Sequence, residues 1–108
     1  MSKYDVKLES KEIGEDLLVI LTGGEKPHAG AVAFAGPYDA SAYSSVISKP
    51  GHKESDLAKL QAERICKRLK KNVVLVAGIH IDNATKNDID ILLKNAVAQV
   101  DRFLGASA

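Results

Sequence analysis

Two short runs constrain this chain more than anything else in it. Leu17 to Leu21 and Val73 to Ile79 are apolar at nearly every position and rich in β-branched residues. Runs of this length read as strands, and unbroken apolarity reads as strands covered on both sides. The chain must therefore build a sheet around them and then cover both of its faces.

The remaining segments supply the sheet's other strands and one set of covers. Tyr4, Val6 and Leu8 alternate with Asp5, Lys7 and Glu9, the pattern of a half-buried strand. Ile13-Gly14-Glu15-Asp16 reads as a tight turn leading into the first apolar run. Ala29 to Ala35 is a strand made almost wholly of Ala, Gly, Val and Phe, and its small residues leave room for something flat on one face. Gly36-Pro37-Tyr38-Asp39 reads as a turn, and Tyr43 to Ser48 alternates again. Ser55 is a candidate N-cap, with Glu54 and Asp56 suited to a helix start. Leu57, Leu60, Ile65 and Leu69 then recur at helical spacing. Thr85 with Asp88 approximates a capping box. It opens a helix striped by Ile89, Leu92, Leu93, Ala96, Val97, Val100, Phe103 and Leu104, with Ile91 off the stripe.

The order is ββββαβα. It predicts a single α/β (α+β) domain over residues 1–108, a two-layer sandwich. A mixed, mostly antiparallel sheet carries two helices on one face. The step from Val46 to Val73 is expected to be a right-handed crossover between parallel neighbours. Two helices leave one sheet face open, and a second copy of the chain is the simplest cover. A homodimer burying the helix-free face or its edge is expected.

Composition removes several functional classes. The formal net charge is +1 over 108 residues, with no tryptophan and few aromatics. That balance indicates no nucleic-acid partner and no base-stacking surface. No apolar run is long enough to span a bilayer, and the N-terminus lacks a signal-peptide core, so no membrane partner and a cytoplasmic location are expected. The single cysteine, Cys66, excludes an internal disulfide and lies on a helix as a core residue. No serine or cysteine nucleophile motif is present.

The chemistry concentrates in three loops. All three histidines sit in glycine-containing segments near the ends of apolar strands: Thr22-Gly23-Gly24-Glu25-Lys26-Pro27-His28-Ala29-Gly30, Pro50-Gly51-His52-Lys53-Glu54, and Ala77-Gly78-Ile79-His80-Ile81-Asp82-Asn83-Ala84-Thr85. Gly23 and Gly24 can form a backbone nest for an anion. Gly51-His52-Lys53 runs into a helix start, a setting that suits a phosphate. His80 and Asp82 share one side of a strand at its C-terminal end, where open α/β sheets bind ligands. Each loop also has a plain reading: a strand-ending turn, a capped helix start, a core histidine beside a turn. A protein-only metal site is disfavoured, because no two ligands stand at short metal-site spacing. The metal ligands stay unassigned.

Read together, Thr22-Gly23-Gly24, Pro27-His28 and Gly30-Ala31-Val32-Ala33, then Pro50-Gly51-His52-Lys53-Glu54, then Gly78-Ile79-His80 and Asp82-Asn83-Ala84-Thr85, resemble the LpdD-like family, the small D subunits of gallate decarboxylase. The resemblance runs from the second strand into the last helix. It implies a non-catalytic prenylated-FMN-binding or FMN-binding protein that serves UbiD-type decarboxylases as a cofactor chaperone or maturation factor. The implied fold is related to small proteasome assembly chaperones, and the implied assembly is a dimer. A divalent metal bridging the phosphate is a further option. The candidate cofactor-binding residues are Gly23, Gly24, His28, Gly30, Gly51, His52, Lys53, His80 and Asp82, with no catalytic residue. The isoalloxazine is expected across the small-residue strand near Gly30. Two alternatives stand beside this reading. One is a protein-interaction module resembling a proteasome assembly chaperone subunit, and the other is a small metal-dependent hydrolase.

Overall fold

The computed structural model describes residues 2–50 and 54–107. Its elements run β1 (Val6–Ile13), β2 (Asp16–Gly24), β3 (Ala31–Tyr38), β4 (Ser41–Ser48), α1 (Glu54–Leu69), β5 (Val73–His80) and α2 (Lys86–Ser107). The strands form one sheet in the order β1-β2-β5-β3-β4. Only β2 and β5 pair in parallel. The β1–β2, β3–β4 and β3–β5 ladders are antiparallel. The α+β class, the element order and the mostly antiparallel sheet match the expectation.

The two apolar runs are the interior of this sheet. Leu17, Val73 and Ala35 form one rung, Val19, Leu75 and Ala33 the next, and Leu21, Ala77 and Ala31 a third. All nine residues are buried, most of them completely. They face both helices. α1 lies over β3, β4 and β5, and α2 lies over β1 and β2. Leu57, Ala58, Gln61, Ala62, Ile65 and Cys66 cover the sheet from α1. Leu92, Ala96, Val100 and Leu104 are the buried stripe of α2. Truncating a fully enclosed side chain such as Leu21 or Leu75 to alanine costs about 2–5 kcal/mol in such settings. Cys66 sits in this core as expected, and burial pushes its thiol pKa up.

Four expectations are corrected. First, β4 and β5 are parallel but are not neighbours, because β3 stands between them. The hairpin β3–β4 inserts as a unit, and the crossover through α1 skips one strand. Second, the small residues of β3 leave no space for a flat ligand. Ala31, Ala33 and Ala35 are 2 %, 0 % and 0 % exposed, because α1 packs directly on them. Third, the turn after β3 is Asp39-Ala40, with Asp39 at φ 52°, so Gly36-Pro37-Tyr38 continue the strand. Pro37 is tolerated because β3 pairs with β5 only as far as Ala35, so its missing N–H can face a side with no strand. Fourth, α1 starts at Glu54, which puts Ser55 inside the first turn rather than at its cap.

The helix ends are otherwise built as the sequence indicates. The Thr85 and Asp88 side chains each accept from the other's backbone N–H, at 3.0 and 2.9 Å, closing the box that starts α2. Lys70, at φ 58°, ends α1 in the left-handed conformation.

The face opposite the helices is uncovered in the single chain. Leu18, Ile20, Val32, Phe34, Tyr43, Ile47, Val74 and Val76 share it by register, and β1 fringes it with Lys7, Glu9 and Lys11. Among the described residues, no helix is long and apolar enough to cross a membrane.

Candidate functional site

The loop after β2 is laced onto the end of β5. Gly24, at φ 77°, turns the chain. The Glu25 and Lys26 N–H groups then both donate to the His80 carbonyl, at 2.8 and 3.2 Å. Four residues beyond Lys26, the Gly30 N–H donates to the Ala77 carbonyl at 2.9 Å. Between these anchors the His28 backbone passes directly over Gly78, where any side chain would overlap the His28 carbonyl. Glycine at 78 is what lets the first and third loops touch.

This lacing brings His28 and His80 together. Their ring centroids lie 5.9 Å apart in an edge-to-face arrangement, at 83°. The His28 Nδ1–H donates to the Lys26 carbonyl at 3.0 Å, and its Nε2 lies 3.4 Å from Glu54 Oε1 at the start of α1. His80 Nε2–H donates to Asp82 Oδ1 at 2.9 Å, and Lys26 Nζ binds Asp82 Oδ2 at 2.9 Å. The Asp82 N–H in turn donates to Glu25 Oε1 at 3.2 Å. Lys26 first, and His80 second, hold the Asp82 carboxyl below its usual range, and Asp82 raises the Lys26 ammonium above its own. Both charges of the pair are therefore fixed at neutral pH. Gly30 borders the same cluster, since a side chain there would press on the Glu54 carboxylate and the His28 ring.

Four of the expected site residues thus meet: His28, Gly30, His80 and Asp82. Gly51, His52 and Lys53 lie outside the described residues. Gly23 and Gly24 adjoin the cluster but form no open nest. The Gly24 N–H is taken by the Asp5 carbonyl at 3.0 Å, and the next two N–H groups by His80. Their small size serves close packing instead, because side chains at 23 and 24 would collide with the Asp5 and His80 carbonyls. Both glycines also line a pocket of about 630 Å³ with Lys7, Thr22, Asn95 and Arg102.

A second cavity was not foreseen from the sequence. It is a groove of about 720 Å³ between the first turns of α1 and α2, with Leu57, Leu60, Ile79, Ile81, Leu92 and Leu93 among its walls. Glu54, His80 and Asn83 stand in its lining, so His80 belongs both to the polar cluster and to the groove. The signal for it was present in Leu60 and Leu93, apolar stripe residues that remain 56 % and 40 % exposed. The volume falls within the range of small-molecule sites, and an apolar groove with a few polar groups at one end suits a ring system with a polar edge. Among the described residues, no group of three or more His, Cys, Asp or Glu is placed to hold a metal ion.

The family model for the prenylated flavin chaperone LpdD-like domain matches residues 1–107. Protein LpdD of Lactiplantibacillus plantarum is 32 % identical over 91 residues, covering 80 % of this chain and 65 % of that protein, slightly less than two thirds of its length. The chain belongs to the prenylated flavin chaperone LpdD-like family.

Proposed function

We propose that this chain binds a prenylated FMN, or FMN itself, and carries it to a UbiD-type decarboxylase as a non-catalytic, homodimeric chaperone. The observation that carries this reading is the double position of His80. It ends the strand that organises the polar cluster, and it lines the apolar groove between the helices. The ring system and its prenyl extension fit the groove, with the polar ring edge toward His80 and Asn83. This moves the ring away from β3, whose alanines are covered by α1. His28 and Lys26, which meet His80 and Asp82 in the polar cluster beside the groove, are the nearby groups offered to the phosphate. Gly51, His52 and Lys53, which precede α1 in the sequence, remain its other candidates. The closed Gly24 backbone argues against a phosphate nest at Gly23 and Gly24.

The decarboxylase needs a contact surface that the ligand does not occupy. The helix-free sheet face meets that requirement, being apolar across four strands and remote in register from the groove. The adjacency of His28 and His80 counts against a module without a small ligand, for which the histidines need not converge.

The test is an anaerobic titration of the purified protein with reduced prenylated FMN, with FMN in parallel. A changed flavin spectrum and co-elution are expected, both weakened by Leu60→Glu in the groove wall. No spectral change and no co-elution at micromolar protein would overturn the reading.

A further inference from the structure

Two donors of the polar cluster already hold an anion, and it belongs to the chain itself. Lys26 Nζ lies 2.9 Å from one Asp82 oxygen, and His80 Nε2–H donates to the other at 2.9 Å. The donors come from different elements, Lys26 from the loop after β2 and His80 from the end of β5. One carboxylate spans them as a fork, one oxygen to each. Two oxygens of a phosphate are spaced much like the two of a carboxylate and can span the same pair. Resting on the flavin-nucleotide reading above, we propose that Asp82 is a specificity-determining residue of the site: its carboxylate holds the place of the ligand's phosphate, which binds by displacing it from Lys26 and His80.

Asp82 is placed to leave. Its side chain is 53 % exposed, so the carboxylate can turn into water without a desolvation penalty. Its backbone need not follow. Ile81 before it is buried, and the Asp82 N–H is tied to Glu25 Oε1 at 3.2 Å. The donors are anchored to each other as well, since the Lys26 N–H donates to the His80 carbonyl at 3.2 Å. Lys26 and His80 therefore keep their spacing while the acceptor between them is exchanged. Until then Asp82 keeps the pair ordered, which sets the donor geometry in advance.

The exchange selects by charge. Asp82 brings one negative charge, whereas a phosphate monoester brings about −1.5 to −2 at neutral pH. The monoester draws Lys26 more strongly and repels the carboxylate it displaces. A flavin without phosphate offers Lys26 no anion and leaves Asp82 in place. Glu25 and Glu54 border the same cluster and hold down its positive charge, so a monoanion gains little over Asp82.

Asp82→Asn keeps an oxygen for the His80 N–H and removes the charge that holds Lys26. The ratio of FMN affinity to riboflavin affinity, read by flavin fluorescence, should rise roughly fivefold, the scale of one exposed ion pair. In a Lys26→Gln background the same substitution should give no rise. Thermal melts establish that each variant folds. Inorganic phosphate added to wild type at neutral pH should move the Asp82 carboxyl and His80 ring signals together in NMR spectra. Where wild type binds FMN, an unchanged or lowered ratio in Asp82→Asn overturns the proposal. So does phosphate that leaves the Asp82 carboxyl signal where it was. The phosphate measurement uses no flavin. If phosphate displaces Asp82 but neither flavin binds, the flavin reading falls and the exchange stands for another phosphorylated ligand. If FMN binds wild type and Asp82→Asn equally, the exchange falls and the flavin reading stands.

Discussion

The carbonyl of His28 occupies the space that a side chain on Gly78 would need. One residue without a Cβ thus joins two loops that lie 50 positions apart in sequence and places His28 beside His80. Gly78→Ala must push the first loop off the end of β5 or shift the strand. A cost of about 1–3 kcal/mol is expected, or roughly 5–15 °C in Tm for a domain of this size. Gly105, in α2, has nothing within 4 Å of an added Cβ. Gly105→Ala should therefore raise stability by about 0.5–1 kcal/mol, because glycine is disfavoured in a helix. Thermal denaturation of the two variants side by side checks the opposite signs.

The tie between the N-terminal segment and α2 makes stability depend on pH in a stated direction. The Tyr4 hydroxyl donates to Asp88 Oδ1 at 2.6 Å, and the Asn95 side chain donates to the Tyr4 carbonyl at 2.7 Å. The bond from Tyr4, with the backbone N–H of Thr85 behind it, holds the Asp88 carboxyl below its usual range. A carboxyl depressed by folding contributes stability above its unfolded pKa and loses it as pH falls through the folded value. Asp88 in turn raises the Tyr4 hydroxyl, whose contribution is complete below its unfolded pKa and is lost as pH rises through the folded value. Melting temperatures should fall on both the acid side and the strongly alkaline side. Tyr4→Phe should lower the neutral-pH plateau and flatten both falls. A variant that keeps the wild-type pH profile would contradict the assignment.

The capping box offers a cleaner measure of α2's start. Thr85 Oγ1 accepts from the Asp88 N–H at 3.0 Å, so Thr85→Ala removes that acceptor while leaving Asp88 in place. A loss of about 1 kcal/mol is expected, and Thr85→Ser should restore most of it. Denaturant unfolding of the three proteins gives the comparison.

Much of this was legible in the sequence, and the limits have physical causes. The interior position of β2 and β5 in the sheet followed from unbroken apolarity, the mark of central rather than edge strands, although the single chain covers only one of their faces. The meeting of His28 with His80, and of His80 with Asp82, followed from glycine placement and strand alternation. Strand order did not follow. A parallel crossover fixes handedness, but it does not fix how many strands are skipped, and β3 entered the gap. The alanines of β3 were read as room for a ligand, yet a helix packed close to a sheet needs the same small residues. The Gly23-Gly24 nest failed for a different reason. Composition shows that N–H groups can be exposed, but only the fold shows that Asp5 and His80 have already accepted them.

His80 should separate binding from folding. Its side chain is 41 % exposed, and among the described residues its ring meets His28, Asp82 and the groove. His80→Gln keeps a donor near Asp82 but shortens the reach into the groove and removes the ring that faces His28. Thermal stability should change by less than about 0.5 kcal/mol, the usual range for exposed substitutions. Affinity for reduced prenylated FMN should drop about tenfold, the equivalent of one lost hydrogen bond to the ligand, or ~1.4 kcal/mol. Lys26→Ala tests the neighbouring position. It removes the ammonium that does most to hold Asp82 ionised, so the Asp82 carboxyl should titrate closer to its ordinary value, as carbon-detected NMR would read. Unchanged flavin affinity in His80→Gln with an intact fold would remove the groove's polar end from the site and leave its apolar walls as the only support for the ring.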